Sequence, residues 1–454
     1  MASSERPPVR DTAVVIGGGL AGMTAAWALR GYAERIVVVE RDRYPAAAVQ
    51  RAGLPQGHHA HLVLEAGQRL LEEMMPGITR ELMAAGARRV NASEVRWLSS
   101  AGWMAEFPAR MSLLCCTRPV LDASVLKRVR TAAPIEFVEG ADVVGLLGSP
   151  QAVTGARVRE RRTAHGAVRD LPAGLVVDAS GRSTSVPRWL AALGCPPVPH
   201  EQVDVGVTYA SRMFRRPADT PLGSHLAVYL QTKAPDDPRM GALLPVEGDR
   251  WIVSLAGMRG AEPEPGERGF TEHLHQLRDP ILSEALRNAE PLSRVRGFRP
   301  GPSVRRHYER GCPDGLVAVG DAVNAFNPVY AQGITVALLC AEVLRRSALR
   351  HGGIGAAMGR DARNGIARVS RTPWVMASAE DARFAATTGA PSGALLKAQH
   401  RFLDLVLAAA TRDPVVTAAF QEVMSMVSPP STLLRPSVLA AVLRSRLSGG
   451  LAGS

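Results

Sequence analysis

The chain opens on apolar runs that alternate with glycine and small residues. Thr12–Ile16 is a short apolar, β-branched run, which predicts a buried parallel strand. A glycine-rich turn follows at Gly17–Gly22, and the small residues of Met23–Arg30 predict a helix. A second apolar run, Ile36–Val39, predicts the next strand and ends at Glu40. This order predicts a βαβ unit.

The turn of this unit has the spacing G-x-G-x-x-G at Gly17, Gly19 and Gly22. The first glycine allows a tight turn, the second lets the backbone approach a pyrophosphate, and the third packs the helix against the strand. The helix N-terminus offers N–H groups to the phosphates. Glu40 stands where an acid accepts ribose hydroxyls, and an acid there disfavours the 2′-phosphate of NADP. The pattern therefore predicts a dinucleotide site.

Later apolar runs predict a mixture of strands and helices. The candidate strands are Val95–Leu98, Glu106–Pro108, Ile135–Val138, Asp142–Leu147, Val153–Arg159, Gly174–Val177, Asp204–Phe214, Ser224–Thr232, Gly241–Val246, Trp251–Gly257 and Val317–Val319. The candidate helices are Leu62–Met75, Arg118–Thr131, Phe270–Asn288 and Gln332–Arg350. From residue 354 onward the pattern is mostly helical, with breaks expected at Pro373, Pro414 and Pro429–Pro430.

The composition of the chain excludes several classes of protein. The chain has 454 residues, of which 46% are hydrophobic and 21% are charged, so we exclude a disordered or fibrous chain. The net charge of +12 would suit nucleic acid, an anionic membrane or an anionic ligand. However, there is no block of five or six consecutive cations. Only Lys127, Lys233 and Lys397 are lysines, so arginine has replaced lysine generally, as in a GC-rich genome. We expect no nucleic-acid partner.

The cysteines and histidines indicate neither a disulfide framework nor a metal site. The five cysteines form no CxxC pair, which favours a reducing, cytoplasmic location. The cluster His58, His59 and His61 lacks a fourth ligand at a regular spacing, so we predict no metal. The sequence shows no signal peptide and no apolar window long enough for a transmembrane helix.

Two later motifs extend the dinucleotide pattern. One is Asp178-Ala-Ser-Gly181-Arg182, and the other is Gly320-Asp321 followed by Pro328–Gly333. With the N-terminal fingerprint, they make residues 10–350 resemble the FAD-dependent monooxygenases of the para-hydroxybenzoate hydroxylase fold. The resemblance implies that Asp321 binds the ribityl chain and that Pro328–Gly333 passes the isoalloxazine ring. Two features depart from the family pattern: Asp178 and Gly181 stand two residues further apart, and Ala331 replaces a glycine.

The resemblance also implies a set of site residues. The cofactor would be bound by Gly17, Gly19, Leu20, Ala21, Gly22, Glu40, Arg41, Arg51, Arg118, Asp178, Gly181, Asp321, Gly333 and Ile334, with Arg182 as a further candidate. Pro328, Gln332, Gly333, His59 and His61 would lie at the catalytic centre. Tyr209, Tyr229, Leu243 and Trp251 are candidates to line the substrate pocket, although packing in the core explains each of them equally well.

The resemblance is closer to one group, the flavin epoxidases of bacterial polyether and polyketide biosynthesis. It is carried by GLPQGHHAHLVLEAGQRLLEEMMPG, WIVSLAGMRG, FNPVYAQG and TPWVMASAEDARF. It implies that a flavin C4a-hydroperoxide epoxidises an alkene of a polyketide or terpenoid intermediate. The alternatives are a hydroxylase of an aromatic or polyketide substrate, and a flavin dehydrogenase or reductase without oxygen insertion. A halogenase would need a lysine and a WxWxIP motif, which Trp251-Ile-Val does not match, and residues 1–126 contain no lysine.

The expected fold class is α/β, with a Rossmann-like FAD-binding domain, an inserted β-sheet substrate domain and a helical C-terminal region. The FAD-binding domain would comprise residues 1–75, 115–200 and 300–350. The substrate domain would comprise residues 76–114 and 201–299, and the helical region residues 351–454. FAD is the expected cofactor, with NAD(P)H as reductant, used directly or through a partner flavin reductase. The expected substrate is a small apolar molecule.

Overall fold

A computed structural model describes residues 11–161 and 166–450, and its strands and helices are numbered here in chain order. The first eleven strands are β1 Thr12–Ile16, β2 Arg35–Glu40, β3 Leu62–Val63, β4 Arg88–Asn91, β5 Val95–Ser99, β6 Gly102–Trp103, β7 Ser112–Cys115, β8 Ile135–Glu139, β9 Ala141–Gly148, β10 Val153–Glu160 and β11 Val168–Pro172. The later strands are β12 Leu175–Asp178, β13 His200–Val203, β14 Thr208–Arg215, β15 Ala227–Leu230, β16 Arg239–Val246, β17 Arg250–Gly257, β18 Arg296–Phe298, β19 Ser303–Arg306, β20 Leu316–Ala318 and β21 Asn324–Ala325.

The helices follow the same numbering. They are α1 Leu20–Leu29, α2 Glu65–Met74, α3 Ile78–Ala84, α4 Arg118–Arg130, α5 Val186–Ala192, α6 Gly266–His275, α7 Ile281–Leu286, α8 Gly333–His351, α9 Ala356–Asp381, α10 Ala394–Ala410, α11 Pro414–Met424 and α12 Pro436–Gly450. No helix of the described ranges has the length and apolar character needed to cross a membrane.

A parallel sheet in the order β20-β12-β1-β2-β8 forms the centre of the molecule. Its middle strand β1 is apolar and wholly buried, because β12 and β2 pair with it on both sides. Parallel strands end at the same edge of a sheet. The residues that follow β1, β2, β12 and β20 therefore meet there, although they are far apart in sequence. This architecture confirms the predicted α/β fold class.

A second sheet of seven strands has the order β18-β14-β17-β16-β15-β5-β6. One face of this sheet packs against α6 and α7. The apolar core between them includes Trp251, Leu243 and Phe270, all of which are buried. Side chains alternate between the two faces of a strand, so neighbouring residues of β16 and β17 point the other way. That second face looks toward the parallel sheet and encloses a cavity.

The C-terminal helices form a separate apolar cluster. Val406, Phe420 and Leu433 lie in its core, and Trp97 of β5 packs against it. The cluster therefore rests on the edge of the seven-stranded sheet that carries β5. The predicted division into residues 1–75, 115–200 and 300–350, residues 76–114 and 201–299, and residues 351–454 remains our proposal for the domains.

Four predicted elements differ from the structure. The predicted helix Leu62–Met75 starts only at Glu65, because Leu62–Val63 pairs with β7 as strand β3. Glu106–Pro108 is not a strand. The predicted helix Phe270–Asn288 divides into α6 and α7, because Pro280 interrupts it and the Asp279 carboxylate accepts a hydrogen bond from the N–H of Ile281. Pro373 lies inside α9 and does not end it. Packing of α9 against α8 and β20 offsets the lost backbone hydrogen bond.

Candidate functional site

One large cavity lies where the two main sheets and the C-terminal helices meet. Its volume is about 1690 Å³, above the roughly 300–1,000 Å³ of a typical ligand pocket. It therefore has room for a large cofactor together with a second molecule. The predicted site residues that line it are Gly17, Gly19, Leu20, Ala21, Glu40, Arg41, His59, His61, Arg118, Gly181, Tyr209, Tyr229, Asp321, Pro328, Gln332, Gly333 and Ile334, and Arg182 also lines it. The other predicted residues, Gly22, Arg51, Asp178, Leu243 and Trp251, are described by the structure but do not line the cavity.

The start of α1 is an open, glycine-lined turn at the end of β1. Gly17 has a φ of +93°, and a Cβ there would lie 2.7 Å from the carbonyl oxygen of Ala179. A Cβ at Gly22 would lie 1.8 Å from the carbonyl oxygen of Gly17, so the helix can approach the strand only with glycine. Gly19 caps α1 without a side-chain hydrogen bond, so the first N–H groups of the helix are available to a ligand.

Glu40 lies at the end of β2, on the cavity wall. Its carboxylate accepts hydrogen bonds from the N–H groups of Gly18 at 2.7 Å and Asp42 at 2.9 Å. Arg51 is buried behind it, with Nη1 3.5 Å from Glu40 Oε2 and Nη2 3.7 Å from Asp122 Oδ2. The structure thus places Arg51 where it supports Glu40 rather than where it would touch a ligand in the cavity.

Asp178 shapes the turn after β12. Its buried carboxylate accepts hydrogen bonds from the Ser180 N–H at 3.0 Å, from the Ser180 hydroxyl at 2.6 Å and from the Thr184 hydroxyl at 2.6 Å. Burial raises the pKa of this carboxyl, and the hydrogen bonds oppose the rise. The turn brings Gly181, with a φ of +84°, and Arg182 to the cavity. Asp178 therefore does not line the cavity itself but fixes the turn that carries Gly181 and Arg182 to it.

Asp321 follows β20 and lines the cavity. Burial raises the pKa of its carboxyl, while the charges of Arg182, Arg118 and Arg306 oppose this rise. Within the described ranges, no side chain or backbone group forms a hydrogen bond to this carboxylate. Its oxygens are therefore free to accept hydrogen bonds from a ligand.

The segment before α8 presents a second helix N-terminus to the cavity. Pro328–Tyr330 forms a short 3-10 turn, and Ala331 has a φ of +54°, which is unfavourable for a residue with a Cβ. An alanine with a strained backbone therefore stands where the resemblance implies a glycine. Gln332 caps α8 without a side-chain hydrogen bond, and its carbonyl oxygen accepts from the N–H of Val336. The N–H groups of Gly333, Ile334 and Thr335 therefore have no partner in the part of the chain that the structure describes.

These features fit FAD, the cofactor expected from the sequence. Its pyrophosphate needs N–H donors, which the start of α1 offers. Its ribityl hydroxyls need acceptors, and Asp321 offers a carboxylate to which no group of the described residues donates. The pyrimidine edge of its ring becomes negative on reduction, and the free start of α8 favours negative charge. The two helix starts and the carboxylate open into the same cavity.

His59 lies on the cavity wall at the end of a hydrogen-bond chain. Its Nδ1 lies 2.8 Å from Ser211 Oγ, and Ser211 Oγ lies 2.6 Å from Ser254 Oγ. Ser254 Oγ accepts from the N–H of Ala60 at 2.9 Å. A backbone N–H only donates, so every hydroxyl is satisfied when Ser254 donates to Ser211 and Ser211 donates to His59. The proton of neutral His59 is then on Nε2.

His61 is fixed in a different way. Its Nε2 lies 2.9 Å from the carbonyl oxygen of Gln56, which only accepts, so Nε2 carries the proton and Nδ1 is an acceptor. Burial, with a contribution from Arg118, lowers the pKa of His61 to about 4. Burial, with contributions from His61 and His58, lowers the pKa of His59 to about 3. Both imidazoles are neutral at physiological pH.

These histidines predict how stability depends on pH. An unfolded chain protonates histidine below about pH 6.5, so the unfolded state binds more protons than the folded state between that pH and about 4. The free energy of unfolding therefore falls as the pH drops through this window. We expect His59→Asn to remove about 1–3 kcal/mol of this loss in urea unfolding measured at neutral and acid pH. His200→Asn, at an exposed position, should keep the wild-type slope. If the free energy of unfolding of His59→Asn also fell with pH as steeply as that of the wild type, folded His59 would have to become charged in this range.

The two sheet tyrosines and the two other substrate-lining candidates lie on opposite faces of the seven-stranded sheet. Tyr209 and Tyr229 line the cavity, whereas Leu243 and Trp251 pack in the core against α6 and α7. The expectation that Leu243 and Trp251 line the pocket is therefore wrong. Because side chains alternate along a strand, the neighbours of Leu243 in β16 line the cavity instead, and these are Ala242 and Leu244.

Several cavity residues were missed by the sequence interpretation. They come from β5 and the C-terminal helices, and include Trp97, Met376, Phe402, Leu407, Phe420, Met424 and Leu433. The helical periodicity of this region indicates which residues are buried, but it does not indicate that they face a cavity. Asp381, which does not line the cavity but bonds to Asn327 and Tyr330 of its wall, was also missed, although it lies within the epoxidase-like segment TPWVMASAEDARF.

Comparison with known proteins places the chain among flavoproteins. Residues 10–344 match the FAD binding domain family. Protein Rv3254 of Mycobacterium tuberculosis is 30% identical over 459 residues, covering 94% of this chain and 92% of the relative. The 6-methylpretetramide 4-monooxygenase of Streptomyces rimosus is 25% identical over 357 residues, covering 74% of this chain and 76% of the relative.

Solved structures share the fold at low sequence identity. The flavin-dependent brominase Bmp2 has a TM-score of 0.70 at 15% identity, covering 97% of this chain and 98% of its own. The p-nitrophenol 4-monooxygenase PnpA of Pseudomonas putida has a TM-score of 0.63 at 14% identity, covering 92% of this chain and 99% of its own. The family match over residues 10–344, on an architecture that these enzymes share, shows that the chain belongs to the FAD binding domain family.

Proposed function

We propose that the chain is an FAD-dependent monooxygenase that epoxidises an alkene of an apolar polyketide or terpenoid intermediate. The observation that carries this proposal is the apolar wall of the cavity beyond the cofactor cradle. The Tyr229 ring lies 4.9 Å from the Trp97 ring, which lies 5.7 Å from the Phe420 ring. These aromatic contacts connect the seven-stranded sheet to the C-terminal helices, so an extended apolar molecule fits along them.

The protonation states of the cavity wall favour an alkene over a phenol. Phenol hydroxylation benefits from a base whose pKa lies near the working pH. Burial raises the pKa of the Tyr209, Tyr229 and Tyr330 hydroxyls, so they stay protonated. The low pKa values of the two neutral histidines make them weak bases. Epoxidation of an alkene requires no side-chain base, so this wall suits it.

Another acid on the wall, Glu380, is already paired. Arg383 Nε lies 2.9 Å from its carboxylate. Burial raises the pKa of Glu380, and the charge of Arg383 opposes this rise. An acid held by an arginine in this way is poorly placed to deprotonate a substrate, which also favours the alkene.

The positions of the three lysines disfavour the halogenase alternative. Lys127, Lys233 and Lys397 all belong to the described ranges, and none of them lines the cavity. A halogenase resembling this chain would need a lysine beside its substrate. The arrangement therefore supports oxygen transfer rather than halogen transfer.

Bound FAD would supply the activation of O2. One oxygen atom would go to the alkene and the other would leave as water, with two electrons and a proton from NAD(P)H and a further proton from solvent. NAD(P)H would act directly or through a partner flavin reductase. The residues of the cavity would hold the double bond beside the cofactor and exclude water. His59 would present its Nε2–H as a donor to an oxygen of the substrate.

The test is an incubation of the purified protein with FAD, NADPH, a flavin reductase, isotopically labelled O2 and an apolar diene. We expect mass spectrometry to show an epoxide that contains one labelled oxygen atom. Desaturation or alkene reduction without labelled oxygen would overturn the proposal in favour of a dehydrogenase or reductase. Labelled product from a phenol but not from the diene would favour the hydroxylase. Omitting the flavin reductase shows whether NADPH acts directly.

A further inference from the structure

Asp381 is a buried acid at the end of α9 that reaches the segment before α8. Its Oδ1 accepts hydrogen bonds from Asn327 Nδ2 at 2.8 Å and from the Tyr330 hydroxyl at 2.7 Å. Its Oδ2 has no hydrogen-bond partner among the described residues. The side chain is fully buried and does not line the cavity. Asp381 therefore contacts the cavity wall from behind.

The two donors hold the segment at separate points. Asn327 caps the 3-10 turn, and its Oδ1 accepts from the N–H of Val329 at 3.3 Å. Tyr330 closes the turn and lines the cavity, and the next residue, Ala331, has a strained left-handed backbone. A strained conformation persists only where the surroundings determine it. Asp381 supplies such a constraint from a distant part of the chain.

We propose that Asp381 is a positioning residue, which holds Asn327–Gln332 in the conformation that presents the free start of α8 to the flavin ring. The inference rests on the cofactor position assumed in the proposed function. The C-terminal helical region would then serve the cofactor as well as the substrate, because Asp381 of α9 holds Asn327 and Tyr330 in the segment that would lie beside the ring.

The surroundings of Asp381 make its charge sensitive to pH. Burial raises the pKa of this carboxyl to about 6, although the hydrogen bonds from Tyr330 and Asn327 lower it. Glu380 on the same helix and Asp204 on the neighbouring chain segment raise it further. Tyr209 of β14 faces the same group and is itself kept protonated by burial. A charged carboxylate accepts stronger hydrogen bonds than a neutral one, so the segment is held more firmly above about pH 6.

Two variants separate the hydrogen bonds from the charge. Asp381→Asn keeps an oxygen that can accept from both donors but cannot ionise, whereas Asp381→Ala leaves both donors without an acceptor. We expect Asp381→Ala to weaken FAD binding by about 10- to 100-fold and to alter the visible circular dichroism of the bound flavin. Asp381→Asn should stay within about threefold of the wild type. The measurement is a titration of apoprotein with FAD, followed by flavin fluorescence.

The pH profile gives a second readout. The wild-type affinity for FAD should rise with pH through about 6, and Asp381→Asn should lose this step. Asp361→Ala is the matched control, because it removes another carboxylate of α9 that makes an exposed ion pair with Arg350. If Asp381→Ala does not fold, Tyr330→Phe removes one of the two hydrogen bonds with a smaller change.

Unchanged FAD affinity and flavin dichroism in both Asp381→Ala and Tyr330→Phe would overturn the inference, as would a pH step that persists in Asp381→Asn. These readouts need no substrate. Failure of the diene incubation with normal results here would overturn the proposed function and leave the positioning role standing.

Discussion

Replacing Gly22 by alanine is expected to abolish FAD binding. The added Cβ would lie 1.8 Å from the carbonyl oxygen of Gly17 and 3.3 Å from the Cβ of Ala179. Backbone atoms cannot turn aside as a flexible side chain can, so α1 would have to move away from β1. The N–H groups at the start of α1 that would bind the pyrophosphate would move with it. We expect at least a 100-fold loss of affinity, about 2.7 kcal/mol or more, measured by FAD titration and by flavin absorbance after purification.

Gly31 provides the matched control for this substitution. It follows α1 in the same βαβ unit, and a Cβ there would meet no atom within 4 Å. Gly31→Ala should therefore purify with the wild-type amount of flavin. If Gly22→Ala did so as well, the close approach of α1 to β1 would not be needed for binding, and our view of this turn would be wrong.

Replacing Asp321 by alanine is expected to yield protein without yellow flavin absorbance. The variant would lose a carboxylate that receives no hydrogen bond within residues 11–161 and 166–450 and is available to the ribityl hydroxyls. It would also leave Arg182, Arg118 and Arg306 without this neighbouring anion. Hydrogen bonds to a charged group contribute about 1.5–3 kcal/mol each. Loss of two such bonds would weaken binding by about 100-fold or more.

Asp170→Ala serves as the control for Asp321→Ala. It removes a carboxylate whose partner is Arg157, in an exposed pair on another sheet, and should leave the flavin content unchanged. Circular dichroism in the far ultraviolet would show whether Asp321→Ala remains folded. Folded Asp321→Ala with the flavin content of the wild type would exclude the assigned role.

The cradle at the edge of the parallel sheet was the most predictable part of the molecule. Each of its motifs follows an apolar strand directly, so local sequence determines both the strand and the turn after it. Gly17, Glu40 and Asp321 are all of this kind. Parallel strands then bring the motifs together without further information. The resemblance to a known family added the order of the motifs to a pattern that was already local.

Residues whose position depends on long-range packing were less predictable. Leu243 and Trp251 lie in strands that are buried on both faces, so the alternation of apolar and polar residues does not show which face meets the cavity. Pro373 ends a helix by local rules, but the neighbours of α9 hold it intact. Asp381 has no local signal at all, because its two donors lie more than fifty residues earlier.

The parallel sheet also affects how the protein is made. Its strand β20, from which Asp321 follows, is synthesised after the whole seven-stranded sheet. On the ribosome, the nascent chain therefore exposes the N-terminal fingerprint long before the opposite side of the cradle exists. FAD can be captured in full only near the end of translation.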